Sequence, residues 1–326
     1  MPHRFGRPVP ADRSITSFLD EAGRMRAFVP PFRFSSFFSP EDTLLCAIAS
    51  EAALSRARQP GNALRIAELT TGSGLVGLHL LRLEYGSTLT GFDVDEYAIE
   101  IARANAVMLG LGQRARFECA DLWSADTSVR LAEVQPHLLI CNPPYIPEPA
   151  DDPMAIEAGA GPDGTAHLMH AVALAGQVQP RAMALSWCSL SDPRCIVSEA
   201  ERAGYRLNSL FVVAIGDGDY SGSVHPYLRT LDKAYLNEQP GMLRAVAPDG
   251  AARFAYLLMA GDFSRGKAAR SAAGAVERLC SDFMSKGITA LADPAAPVPT
   301  RAWLLDRWDE MRLRAYLHGG VPLRTT

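Results

Sequence analysis

Apolar residues in the middle of the chain come in short β-rich runs separated by longer stretches with helical spacing. The candidate strands are ALRIAEL (63–69), TLTGFDV (88–94), RARFECA (114–120), HLLICN (137–142), AMALSWC (182–188), LFVVAIG (210–216) and RFAYLLMA (253–260). Between the first five lie helical patterns. EYAIEIARANAVMLG, for example, puts apolar side chains at 98, 101, 102, 106 and 109 and closes on Gly110, a common helix stop. The βαβα order predicts an α/β fold, a Rossmann-like, seven-stranded, mostly parallel sheet with helices on both faces.

The flanks read as short N-terminal and C-terminal helical appendages. SPEDTLLCAIASEAALSRA (39–57) offers Ser39 as a cap, proline at the first helical position and acids in the first turn. Beyond 262 the pattern predicts two helices joined by the proline-rich ADPAAPVPT (292–300), the second with Leu304, Trp308, Met311 and Ala315 on one stripe. The expected organisation is a helical cap over 1–60, a central domain over 61–262 with a lid-like insert at 217–243, and a helical tail over 263–326.

Composition narrows the class. A chain of 326 residues that is 48% hydrophobic builds a substantial core. The net charge of −4 and pI near 6.0 give no basic face of the kind a nucleic-acid duplex demands. None of the six cysteines forms a C-x-x-C pair, so they read as reduced thiols, with neither a metal site nor a disulfide framework. No run is long and apolar enough to cross a bilayer, and the first residues lack the apolar core of a signal peptide. The expectation is a soluble, cytoplasmic protein without membrane contact.

The first strand runs into ELTTGSGLVGLHLL, whose glycines at 72, 74 and 77 spell G-x-G-x-x-G where backbone amides and a helix N-terminus can approach a nucleotide. A nicotinamide dinucleotide would seat its pyrophosphate there, with Asp93, nineteen residues past Gly74, on the ribose. S-adenosylmethionine would use the same acid but brings no phosphate. Glu68, four residues before the first glycine, favours the second by sign, because a carboxylate suits a sulfonium and an ammonium better than phosphates. CADLW then puts Asp121 at a strand end, within reach of an adenine amine, with Leu122 and Trp123 to cover the ring. The plainer reading of an isolated Asp121 is a helix cap.

The fourth strand ends in ICNPPYIP (140–147). Adjacent prolines extend neither helix nor sheet interior, so the plain reading is a turn. The chemical reading is a rigid clamp: the Asn142 side-chain oxygen and the Pro143 carbonyl each accept one hydrogen of a planar NH₂, and Tyr145 supplies a flat wall. His167 and His170, three apart on a predicted helix, lack a third metal ligand nearby and read as helix surface.

Together, ELTTGSGLVG, GFDVDEYAIEIARANA, CADLW and LLICNPPYIPEP resemble class I S-adenosylmethionine-dependent methyltransferases of the NPPY type, and within them the release-factor glutamine methyltransferases and their adenine-amine relatives. EAGAGPDGTAHLMHAV (157–172) and FSPEDT (38–43) resemble two further stretches of the glutamine enzymes. The resemblance implies an N-methyltransferase whose cofactor, S-adenosyl-L-methionine, is lined by Glu68, Thr70, Gly72, Gly74, Asp93, Asp121, Leu122 and Asn142. Asn142, Pro143 and Tyr145 are then the catalytic clamp. It departs from the family at Thr70, where glycine is usual, and in a shorter segment before the sheet. The implied acceptor is a protein glutamine or a small-molecule amide or amine, with nucleic acid ranked third on charge. The alternatives are non-methyl chemistry on the same cofactor and an NAD-type oxidoreductase.

Overall fold

The computed structural model describes residues 17–19, 25–27, 39–84, 86–216, 223–228, 230–231, 243–246, 252–286, 300–303 and 322–323. In chain order the elements are β1 (Ser17–Leu19), β2 (Met25–Ala27), α1 (Pro40–Ala57), β3 (Arg65–Leu69), α2 (Leu75–Leu83), β4 (Thr88–Asp93), α3 (Glu96–Met108), β5 (Ala115–Cys119) and α4 (Ala125–Val134). They continue with β6 (Leu138–Cys141), α5 (Ala166–Val178), β7 (Ala182–Cys188), α6 (Pro193–Arg202), β8 (Tyr205–Gly216), α7 (His225–Leu228), β9 (Leu243–Val246), β10 (Ala252–Arg265), α8 (Ala273–Lys286), β11 (Thr300–Trp303) and β12 (Pro322–Leu323). All seven strands expected from the sequence are present, ordered β5-β4-β3-β6-β7-β10-β8 across one sheet. The ladder is parallel from β5 to β7, while β10 runs antiparallel to both β7 and β8.

Parallel strands covered on both faces read as unbroken apolar runs, and β6 (LLIC) and β7 (AMALSWC) are buried at every position. Strand order reverses at β3, between β4 and β6, so the carboxyl ends of β3 and β6 diverge into the crevice where open α/β sheets take their ligands. Helix α1 packs across β7, β10 and β8 and is buried over Leu44–Leu54. At its end the Arg56 guanidinium donates to Asp262 Oδ2 at 2.8 Å, a wholly buried carboxylate of β10 beside the bulge that Asn208 makes in β8. The cap expected of Ser39 is not made by its side chain; Thr43 N donates instead to the Ser39 carbonyl at 3.0 Å, behind Pro40.

The tail differs from expectation. β10 continues to Arg265, so the sheet extends past the boundary at 262. One expected helix is present as α8, held at its start by Glu201, which accepts from Ser271 Oγ and Ala272 N. Thr300–Trp303, expected to lead into the second helix, is instead a strand parallel to β8. Extended pairing there satisfies edge groups of β8 that a helix would leave open. The stripe from Leu304 to Ala315 lies outside the described residues, as does most of the insert at 217–243. The part described, α7, rests on the turn after the NPPY segment, with Val224 and Leu228 buried and Tyr227 Oη donating to the Pro162 carbonyl at 2.8 Å.

The β3–α2 turn shows why its residues are what they are. Gly74 caps α2 in a left-handed conformation (φ 74°), and a Cβ there would stand 2.9 Å from the Phe117 ring. A Cβ on Gly77 would stand 2.5 Å from Glu68 Oε2, so the third glycine lets helix and strand close together. Into that contact Glu68 points its carboxyl, accepting from Thr71 Oγ1 at 2.5 Å and Gly77 N at 3.2 Å. Burial pushes its pKa up to about 8, against the pull of those two donors.

Because this carboxyl ionises less readily in the folded chain than in the unfolded one, the folded state holds an extra proton between the ordinary carboxylate range and about pH 8. Stability therefore falls as pH rises through that window. Glu68→Gln keeps shape and acceptor but cannot ionise, so its thermal midpoint gains on the parent's as pH rises. Parallel midpoint curves for the two proteins would refute the assignment.

Candidate active site

A cavity of about 550 Å³ opens where β3, β4, β5 and β6 end. Glu68, Thr70 and Gly72 from the β3 turn, Asp93 from β4, Asp121 and Leu122 after β5, and Asn142, Pro143 and Tyr145 after β6 all line it. Four separate loops thus bring nine of the ten residues expected from the sequence to one wall. The tenth, Gly74, does not line the cavity: it faces Phe117 and Ala102, where it serves the packing of α2 against β5 and α3.

Glu68 also needs correction. Sequence reasoning gave its carboxylate the task of balancing a cation, but the group is sequestered in the turn and held mostly protonated near neutrality. The negative charge at the wall comes from other acids. Asp93 Oδ2 accepts from Gly72 N at 2.7 Å and Oδ1 from Asp95 N at 3.0 Å, fixing the carboxylate at the lip of the glycine turn, with burial raising its pKa. Each oxygen keeps a lone pair for a ligand hydroxyl. Asp121 is not the cap of α4, a place Ser124 takes; its Oδ1 accepts from Trp123 N at 3.0 Å in an Asx turn. Among the described residues, Asp42, Asp95 and Glu157 add to the acidic lining and no Arg or Lys joins it.

Thr70 carries the departure from glycine into the backbone. It is left-handed (φ 53°), a conformation that a β-branched residue adopts only under constraint. Its hydroxyl donates to the Leu69 carbonyl at 2.6 Å and lies 3.9 Å from Cys141 Sγ, at the base of the NPPY segment.

In that segment Asn142 Oδ1 is buried and has no hydrogen-bond partner among the described residues. Tyr145 is buried too, and its phenol donates to Asp42 Oδ2 at 2.8 Å, which fixes the ring edge and, with burial, raises its pKa well above the ordinary value. Asp42 was not singled out as a site residue. Its signal was available in FSPEDT, an acidic first turn in a stretch already matched to the glutamine enzymes.

The two histidines are not plain helix surface. His170 Nε2 bonds the Leu122 carbonyl at 2.9 Å, and its ring stacks on Trp123 with centroids 4.3 Å apart. His167 is half-buried, lines the cavity and leans on Trp123 at 5.8 Å. A helical i, i+3 spacing can show that two side chains share a face but not what the face meets.

Residues 47–158 match the methyltransferase small domain family. Over 109 residues the chain is 34% identical to a release factor glutamine methyltransferase of Chlorobaculum tepidum, covering 33% of this chain and 37% of that protein. Over 116 residues it is 30% identical to a tRNA1(Val) (adenine(37)-N6)-methyltransferase of a Flavobacteriaceae bacterium, covering 35% and 48%. The matches thus span between about a third and a half of these relatives. Among solved structures it is similar to a SAM-dependent methyltransferase from Agrobacterium tumefaciens, at 15% identity, a TM-score of 0.41 and 77% coverage of both chains. No helix among the described residues is long and apolar enough to cross a membrane. The match over residues 47–158, together with the strand order and the cavity at the strand ends, supports a class I S-adenosylmethionine-dependent methyltransferase.

Proposed function

We propose that this chain transfers the methyl group of S-adenosylmethionine to a planar NH₂ nitrogen, the acceptor being a protein glutamine amide or a small-molecule amide or amine. The observation that carries the reading is Asn142 Oδ1, a buried acceptor that no described residue satisfies, on the wall it shares with the glycine turn and Asp93. Leaving such an atom without a donor costs about 1–3 kcal/mol, and a donor brought by the substrate removes that cost. The cofactor, when bound, supplies an electrophilic methyl on a cationic sulfur, and an acidic lining without Arg or Lys suits that charge.

An amide or aryl-amine nitrogen is a weak nucleophile because its lone pair is delocalised. Accepting its two hydrogens at Asn142 Oδ1 and the Pro143 carbonyl holds the nitrogen so that the lone pair faces the methyl. Two prolines stiffen the loop, and the Tyr145–Asp42 bond keeps the aromatic wall from rotating away. The two relatives are named for different acceptors, a glutamine and an adenine N6, which share the planar NH₂. The acidic lining favours the amide, since a polynucleotide would bring phosphates to a mouth edged by Asp95, Asp121 and Glu157.

Four outcomes test the proposal. In calorimetry the protein binds S-adenosylmethionine or its demethylated product; saturable binding of NAD or NADP with none of the sulfonium ligand overturns the reading. Asp93→Ala weakens that affinity by about 1.5–3 kcal/mol, the range for hydrogen bonds to a charged group, and an unchanged affinity places the ribose elsewhere. Asn142→Ala leaves affinity nearly intact but slows single-turnover methylation by roughly 10²–10³, the cost of losing one preorganised contact at a reacting centre. Asn142→Asp is slowed too, because its charge stabilises the cationic ground state over a transition state that is losing charge. The acceptor for these rates is the first glutamine peptide or small amine that a mass-spectrometric screen finds to gain a methyl group. Parental rates in the Ala variant would remove the clamp from the mechanism.

A further inference from the structure

We infer that His167 is a cofactor-recognition residue: its Nδ1 accepts one hydrogen of the adenine 6-amino group of S-adenosylmethionine, beside Asp121, and so selects a 6-amino over a 6-oxo purine. The inference rests on the methyltransferase reading and adds a contact that neither the family match nor the sequence motifs assign.

Placement comes first. His170 bonds the Leu122 carbonyl and stacks on Trp123, which locks the opening of α5 onto the loop after β5. His167, three residues earlier and therefore on the same face, is carried by that lock to the cavity wall, tilted at 54° to the Trp123 ring. This is the loop whose acid, Asp121, lines the same cavity and is expected from the sequence to reach the adenine amine.

Chemistry follows from what the ring lacks. Nδ1 is shielded from solvent and has no partner among the described residues. Burial lowers the pKa of the ring, with His170 acting in the same direction, while the Gly159 backbone, Glu148 and Asp121 pull it up more weakly. A neutral imidazole carries one N–H and one lone pair. In the tautomer that keeps this proton on Nε2, the lone pair is on Nδ1. Nδ1, the nitrogen without a partner, is then the acceptor.

A 6-amino group presents two hydrogens in a plane. Asp121 commits one oxygen to Trp123 N and keeps the other, so the carboxylate and Nδ1 make two acceptors for two donors. A 6-oxo group would put an acceptor against both, an unpaired arrangement that the site rejects.

The test titrates S-adenosylhomocysteine and its deaminated form, S-inosylhomocysteine, into the parent, His167→Phe and His167→Gln, by calorimetry. The parent prefers the adenosyl ligand. His167→Phe lowers adenosyl affinity roughly five- to tenfold, the loss of one hydrogen bond, leaves the inosyl affinity unchanged and so shrinks the preference. His167→Gln retains an acceptor oxygen and recovers part of it. Equal losses for both ligands would assign His167 to packing, and unchanged affinities for both would assign it to the acceptor side; either overturns the inference. A parent that binds neither ligand refutes the methyltransferase reading itself, and the inference with it.

Discussion

Glu68 ends β3 where the chain must leave the sheet, turn sharply through Thr70–Gly74 and enter α2. Its carboxyl binds Thr71 on the near side of that turn and Gly77 on the far side, in space left by the missing side chain of the third glycine. Burial raises its pKa to about 8, and the group acts as a hydrogen-bonding brace. The rest of the site depends on the brace. Gly72 N meets Asp93 from this turn, and Thr70, in its left-handed conformation, touches Cys141, the residue before Asn142.

A division of labour follows among the acids. The one deepest in the sheet edge is largely neutral and structural, and those nearer the mouth carry the field that a cationic ligand meets. Asp42 reaches the same wall from α1, outside the glycine-loop framework, and orients Tyr145. The helix before the sheet therefore reaches the cavity, packed on β7, β8 and β10 and tied to the NPPY segment through one phenol.

Much of this was legible in the sequence because parallel-sheet proteins write their strands as apolar runs and end them with chemistry-bearing loops. All seven strands, α1 and α3 follow from periodicity, and nine of ten expected site residues share one cavity. What was misjudged depends on three-dimensional neighbours. Gly74 satisfies the motif but spends its missing side chain on Phe117. Glu68 looks like a counter-charge until its burial is known. Thr300–Trp303 is a strand because β8 has an open edge beside it, which no local pattern records. His167 and His170 look like helix surface until α5 docks beside Trp123.

The position of β10 has a consequence for how the molecule is made. Of the seven strands it is last in sequence, yet it lies between β7 and β8. A chain leaving the ribosome can zip β3 through β7 as it emerges, but β8 has no neighbour in that sheet until residues near 265 are free. Until then the face of α1 that covers β8 and β10 stays exposed, and so do the edges of β7 and β8. Completion of the fold is thus deferred to the end of the last core strand, and the apolar surface of the half-built sheet must be shielded for as long as synthesis of that stretch takes.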